Sequence, residues 1–213
     1  MITNEFWLDR WKAGRIGFHE DEVSPLLTFY WRSLPRGSRV LVPLCGKSND
    51  LIWLAEQGYD VVGVELSSLA VVEFFGDNDL EYTTESTPLG KMHRACDMAL
   101  SIFEGDIFDF DEINFDACYD RAAMVAMPPS SRQHYVDKVS ACLRPKAYIL
   151  VIALYHDGDI TDPPFSVSDD EVAALWKRDI HKIASEDLVQ TNIRYKEKNH
   201  AFFEESVWQV LPD

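Results

Sequence analysis

At 213 residues, with 46% hydrophobic and 12% aromatic content, the chain can bury a substantial core and is read as one domain, 1–213. Its 36 acidic against 20 basic residues leave a formal charge of -16, which repels a phosphate backbone and sets nucleic acid aside as a partner. Four cysteines without C-x-x-C pairing, six scattered histidines, and no secretory or membrane-length apolar segment predict a cytoplasmic protein with reduced thiols, no metal site and no membrane contact.

The first 35 residues are rich in aromatics. Thr3 or Asn4 caps a predicted helix carrying Phe6, Trp7 and Trp11, and Gly14 ends it. A second helix is predicted from Ser24 to Leu34, with Pro25 at its first position. Most of these aromatics suit an extra helical layer on a sheet. Trp11 and Phe18 flank the polar loop with Gly17 and His19, the composition of a lid over a flat ring, so residues 1–35 are read as a helical lid.

Val40, Leu41, Val42 and Leu44 form a short apolar run, as in a parallel strand covered on both faces. Cys45 to Ser48 make a tight turn. Leu51, Leu54, Ala55 and Gly58 then recur at helical spacing, and Gly58 closes that helix. Tyr59 to Glu65 is a second strand ending on a carboxylate, where an α/β crevice places a nucleoside ribose. Gly46 lets the backbone approach a ligand, and Glu65 can accept from both ribose hydroxyls. The turn has neither G-x-G-x-x-G for a pyrophosphate nor G-x-x-x-x-G-K-[ST] for nucleotide phosphates. A cofactor with ribose and adenine but no phosphate fits best, which describes S-adenosylmethionine. A nicotinamide-dependent oxidoreductase and a non-catalytic nucleoside-binding protein remain the alternatives; calorimetry with S-adenosylhomocysteine, NAD and ATP separates them.

Beyond Glu65, Ser67 or Ser68 caps a helix through Phe75, stopped at Gly76. Leu80 to Met98 is polar and mixed and is predicted as a long loop. Leu100 to Gly105 is a third strand, followed by Asp106 and Ile107, an acidic and apolar pair suited to an adenine amino group and ring. Phe115 to Tyr119 is a fourth strand ending at Asp120 and Arg121. Ser130 caps a helix stopped at Pro145. Ala147 to Leu154 is a buried strand, and its exit, Tyr155 to Phe165, is a rigid loop. Ser168 caps a helix through Trp176. Strands near His181 to Val189 and Ala201 to Val210 have no connecting helix between them and must pair antiparallel, with the basic loop Asn192 to Asn199 near the pocket. The order predicts an α/β, Rossmann-like fold: a seven-stranded, mostly parallel sheet with an antiparallel last strand and helices on both faces, as in class I S-adenosylmethionine-dependent methyltransferases.

FWLDRW with IGFH, VLVPLCGKS, GVELS, YDRAA at Tyr119 to Ala123 and PPF at Pro163 to Phe165 together resemble the thiopurine S-methyltransferases, in the right order over nearly the whole chain. The resemblance implies methyl transfer from S-adenosylmethionine, leaving S-adenosylhomocysteine, to the sulfur of aromatic or heterocyclic thiols, and, through bacterial relatives, to selenium or tellurium compounds in detoxification. It implies cofactor contacts at Trp11, Leu44, Glu65, Asp106, Ile107 and Arg121, a substrate contact at Phe18, and a monomer acting on small molecules. Departures lie mainly in Tyr82 to Met98, the loop before the last strand and the C-terminus, so substrate preference transfers least. An aromatic thiol supplies thiolate by itself. His19 or Asp120 is a candidate for assisting deprotonation, and Arg121 for steadying the thiolate, while Asp120 and Arg121 also read as structural partners at a strand end.

Overall fold

The computed structural model describes residues 3–158, 161–191 and 200–211. The chain divides into two compact units, Met1–Cys118 and Tyr119–Asp213.

In the first unit, α1 (Asn4–Lys12) begins at Thr3, whose hydroxyl accepts the Phe6 N–H, and Gly14 turns the chain away at φ 64°. α2 (Pro25–Tyr30) is shorter than the predicted reach to Leu34, because Trp31 is already extended. Leu34 precedes Pro35, whose ring excludes the helical conformation from the residue before it. The Leu34 N–H goes to the Tyr59 hydroxyl instead, at 3.1 Å.

β1 (Arg39–Pro43), α3 (Asp50–Glu56) and β2 (Asp60–Glu65) form the predicted βαβ unit, with Leu41 opposite Val62 in a parallel register. Val40, Leu41, Val61, Leu51 and Leu54 are fully buried, each worth roughly 1.5–3 kcal/mol by removal from water. α4 (Ser68–Asp77) starts from the Ser67 cap, and Gly76 lies inside its last turn instead of stopping it. The Asn78 amide finishes that helix on the Phe74 carbonyl.

The stretch predicted as a long loop is a hairpin, β3 (Tyr82–Ser86) and β4 (Lys91–Ala95), which joins β5 (Leu100–Glu104) antiparallel. Thr87 closes its turn, exchanging bonds with Gly90. All five residues of β3 are exposed, so no apolar alternation marks it. It is tied inward through the buried His93, which lies 2.9 Å from the Thr84 hydroxyl and 3.0 Å from Glu104, and through Tyr82, stacked on the buried Phe75. With β6 (Phe115–Arg121), whose Ala117 and Cys118 pair with β1, the strand order here is β3-β4-β5-β2-β1-β6, and the β2–β5, β2–β1 and β1–β6 pairs are parallel.

The second unit takes up the end of β6, a 3-10 turn at Met124–Ala126, α5 (Pro129–Cys142), β7 (Leu143–His156), α6 (Asp169–Trp176), β8 (Ile180–Asp187), a short α7 (Leu188–Thr191) and β9 (Phe203–Val210). α5 opens on Pro129 at its first position, and Ser130, the expected cap, sits within its first turn. The helix passes directly into β7 at Leu143, ahead of Pro145, which occupies the exposed beginning of that strand. β7-β9-β8 is antiparallel throughout, with Val151 opposite Trp208, so the predicted final hairpin is present. Nine strands occur among the described residues, the seven expected and the β3–β4 pair. Tyr148 to Ala153, Val172 and Trp176 form the core of this unit. The loop Asn192 to Asn199 lies outside the described residues. No described helix is long and apolar enough to cross a membrane.

Candidate active site

Glu65 ends β2 in the first unit, buried, and its two oxygens are held by backbone amides. Oε1 accepts from Ser67 N at 2.7 Å and Oε2 from Gly46 N at 2.9 Å. Burial pushes its pKa up to about 7, against the lowering pull of the Ser67, Gly46 and Leu66 amides. Each oxygen keeps a second lone pair. Among the described residues no cationic side chain forms an ion pair with this carboxylate, so a ligand's hydroxyl donors meet no competing ion pair there. That pattern fits the ribose of S-adenosylmethionine.

The turn after β1 is built around this carboxylate. Leu44 and Gly46 both take left-handed backbone, φ 48° and 56°, which aims the Gly46 N–H at Glu65. Leu44 holds it without glycine's freedom, a local strain of order 1 kcal/mol that surrounding structure must support. A Cβ on Gly46 would stand 3.3 Å from the Trp11 ring, so the indole lies directly over the backbone of the turn. Trp11 is buried and meets Phe18 edge-on at 5.7 Å, and Phe18 also meets Trp7 at 6.0 Å. Lys47 turns away to Glu73 and Asp77 at 3.0 and 2.9 Å, fastening the turn to α4 rather than offering a charge to a phosphate.

β5 runs beside β2, with Glu104 opposite Glu65, and the next residue, Gly105, donates its N–H to the Glu65 carbonyl. Asp106 and Ile107 follow at once. Ile107 is buried. Asp106 accepts from Phe108 N at 2.9 Å and from the Asn4 amide at 2.7 Å. The first unit therefore gathers Trp11, Phe18, Leu44, Glu65, Asp106 and Ile107 onto α1, the loop after it and the exits of three neighbouring strands. His19, in the same loop, places Nε2 3.5 Å from Asp21.

In the second unit Asp120 is wholly buried. It accepts from Met124 N at 2.9 Å and from the Tyr135 hydroxyl at 2.7 Å, while burial raises its pKa to about 6. Those contacts make it the brace between the end of β6 and α5, the structural role its position at a strand end also suggested. Arg121 follows, half-buried, and Ala122 takes φ 58°, a second left-handed residue without glycine at a strand exit. Neither Leu44 nor Ala122 carries a sequence signal for that backbone. The Asn4–Asp106 bond likewise has no local signature, since it joins residues 102 apart.

Residues 2–212 match the family model for thiopurine S-methyltransferase. The chain is 48% identical over 178 residues to a thiopurine S-methyltransferase of Bordetella petrii, covering 81% of this chain and 80% of that one. It is 40% identical over 218 residues to a thiopurine S-methyltransferase of Nitrosospira multiformis, covering 99% and 98%. Among solved structures, the 1,6-didemethyltoxoflavin-N1-methyltransferase of Burkholderia thailandensis, with bound 1,6-didemethyltoxoflavin and S-adenosylhomocysteine, superposes with a TM-score of 0.66 at 16% identity over 98% of this chain and 87% of that one. A TehB-like SAM-dependent methyltransferase from Corynebacterium glutamicum gives 0.55 at 16% identity over 99% and 98%. The structural likeness shows the fold, that of the S-adenosylmethionine-dependent methyltransferases. With the family model spanning nearly the whole sequence and relatives well above 30% identity, the chain belongs to the thiopurine S-methyltransferase family.

Proposed function

We propose that this chain is an S-adenosylmethionine-dependent S-methyltransferase acting on aromatic and heterocyclic thiols of the thiopurine kind. The observation that carries the reading is the buried Glu65 carboxylate, held by the Gly46 and Ser67 amides under the Trp11 indole, in a chain of this family. Glu65 takes the ribose, Asp106 and Ile107 the adenine side, and Trp11 and Leu44 line the turn. Arg121 is assigned to the cofactor on its motif alone. Phe18, in edge contact with Trp11, faces the acceptor, and residues 1–35 close as a lid in a single domain. The cofactor, when bound, supplies a methyl group on a sulfonium centre. Calorimetry tests the cofactor class: S-adenosylhomocysteine should bind, with NAD and ATP giving no heat. Binding of NAD instead would favour an oxidoreductase.

The chain's task toward the acceptor is orientation. Asp120 is buried, with its oxygens engaged by the Met124 amide and the Tyr135 hydroxyl, so His19 is the side chain to test first. Thiols of low pKa should be methylated well and an aliphatic thiol of similar size poorly, because little of it is ionised at pH 7. The pH profile should follow each acceptor's own pKa, and His19→Gln should lose far less than the ~10²-fold expected on removing a working base. A profile fixed near pH 6.5 for all acceptors, with a large loss in His19→Gln, would make His19 the base. Selenium and tellurium acceptors belong in the same screen. A cytoplasmic monomer is proposed alongside, since a charge of -16 opposes self-association; sedimentation checks it.

A further inference from the structure

We infer that Asn4 is a positioning residue for the cofactor: its amide holds the Asp106 carboxylate and fastens the start of α1 to the loop behind β5, so that the N-terminal helix and the adenine side of the pocket are locked together. This rests on the proposed function and adds to it a residue outside the family's motifs.

The contact is Asn4 Nδ2 to Asp106 Oδ2, 2.7 Å. An ionised carboxylate only accepts, so the amide's orientation is fixed with its NH₂ toward Asp106 and its carbonyl oxygen away. Asp106 is gripped from its other side as well. Oδ1 takes the Phe108 N–H at 2.9 Å, and its backbone carbonyl takes Asp109 N and Phe110 N. With side chain and backbone both held, the carboxylate keeps one rotamer, and each oxygen retains a lone pair for an exocyclic amino group.

The placement along α1 gives the bond its meaning. Trp11, near the helix's other end, lies on Gly46 in the turn after β1. Asn4 and Trp11 are seven residues apart, roughly 10 Å along the helix axis. α1 is thus pinned at both ends, to the turn carrying Leu44 and Gly46 and to the loop carrying Asp106 and Ile107. Because both partners lie near solvent, the bond adds little to global stability. Its effect is on where α1 sits, and any ligand that orders Asp106 also orders the helix.

The test compares Asn4→Ala, which removes the tie, with Asn4→Asp, which sets a second carboxylate against Asp106. Gln57→Glu makes the same charge change at an exposed residue just past the end of α3. S-adenosylhomocysteine affinity is measured by calorimetry at low and high salt, with hydrogen exchange of residues 4–13 with and without ligand. Asn4→Asp should weaken binding about tenfold or more, the size of a lost hydrogen bond to a charged group. Salt should shrink that loss, since it screens the repulsion. Asn4→Ala should lose severalfold with little salt dependence. Both should cancel the ligand-induced protection of α1 while leaving the unfolding midpoint near the parent's, and Gln57→Glu should match the parent. Parent-like affinity and protection in Asn4→Asp would overturn the inference, as would an equal loss in Gln57→Glu or a loss matched by a falling midpoint. If the parent itself binds no S-adenosylhomocysteine, the proposed function falls and takes this with it.

Discussion

Glu65→Ala should weaken S-adenosylhomocysteine binding by about 1.5–3 kcal/mol, roughly tenfold to 150-fold, in a chain that still folds. The buried carboxylate already spends one lone pair on each backbone amide, and ribose hydroxyls donating to the others make hydrogen bonds to a charged group. Its pKa near 7 adds a pH signature. Ribose donors favour the ionised form, so affinity should rise with pH through about 7 and level off above. Glu65→Gln, which cannot ionise, should remove that dependence. Stability without ligand runs the other way. The folded pKa stands above the ordinary carboxylate value, so the folded state is favoured while Glu65 is protonated and loses that advantage as pH rises from about 4.5 through 7. Asp120, raised to about 6, contributes in the same direction from about 3.8 upward. Unchanged affinity in a folded Glu65→Ala variant would remove the ribose assignment.

The second large effect is expected at Gly63, in the middle of β2. A Cβ there would stand 2.7 Å from Cys45 Sγ and 2.7 Å from a Leu51 methyl, both buried. Something must move in a close-packed core. Gly63→Ala should therefore cost about 1–3 kcal/mol by overpacking, a fall of roughly 2–4 °C in Tm per kcal/mol at this chain length. Gly63→Val should cost more. Because one of the two atoms pushed belongs to Cys45, next to Gly46, cofactor affinity of the folded Gly63→Ala protein should fall too. The double variant with Cys45→Ala should recover part of both losses, a coupling that a denaturant-melt cycle measures. Additive losses would mean that the clash is taken up by Leu51 and not by Cys45.

These two positions show what kind of information the sequence holds. The β1–α3–β2 core was legible because Val40 to Val42, the Leu51 and Leu54 spacing and the acid at Glu65 are local patterns with one structural solution. β3 and β4 were not, because an edge hairpin with five exposed residues on its outer strand has no apolar period to read. At the site, Glu65 and the Asp106–Ile107 pair announce themselves at strand exits, and Trp11 and Phe18 by their aromatic rings beside a polar loop. The left-handed backbone at Leu44 and Ala122 gives no such notice, since any L-residue there is an exception imposed by its surroundings. The Asn4 tie depends on a partner 102 residues away and emerges only when the chain is folded.

The hairpin that looked like a loop has a consequence for how this protein behaves in a crowded solution. A sheet edge offers unpaired amides and carbonyls to any passing strand, and a flat apolar edge invites stacking into fibres. Tyr82 to Ser86 ends the β3 side of the sheet with threonines, a serine and Glu85, while Tyr82 lays its ring back on Phe75 at 4.2 Å. A strand arriving there would gain backbone bonds but bury almost no oil, and it would bring a carboxylate toward a chain already carrying sixteen excess negative charges. Replacing Thr83 and Glu85 with valine would give the edge the look of an amyloid seed. The polarity that hid this strand from a reader of hydrophobic patterns is the same property that keeps one molecule from adding to the next.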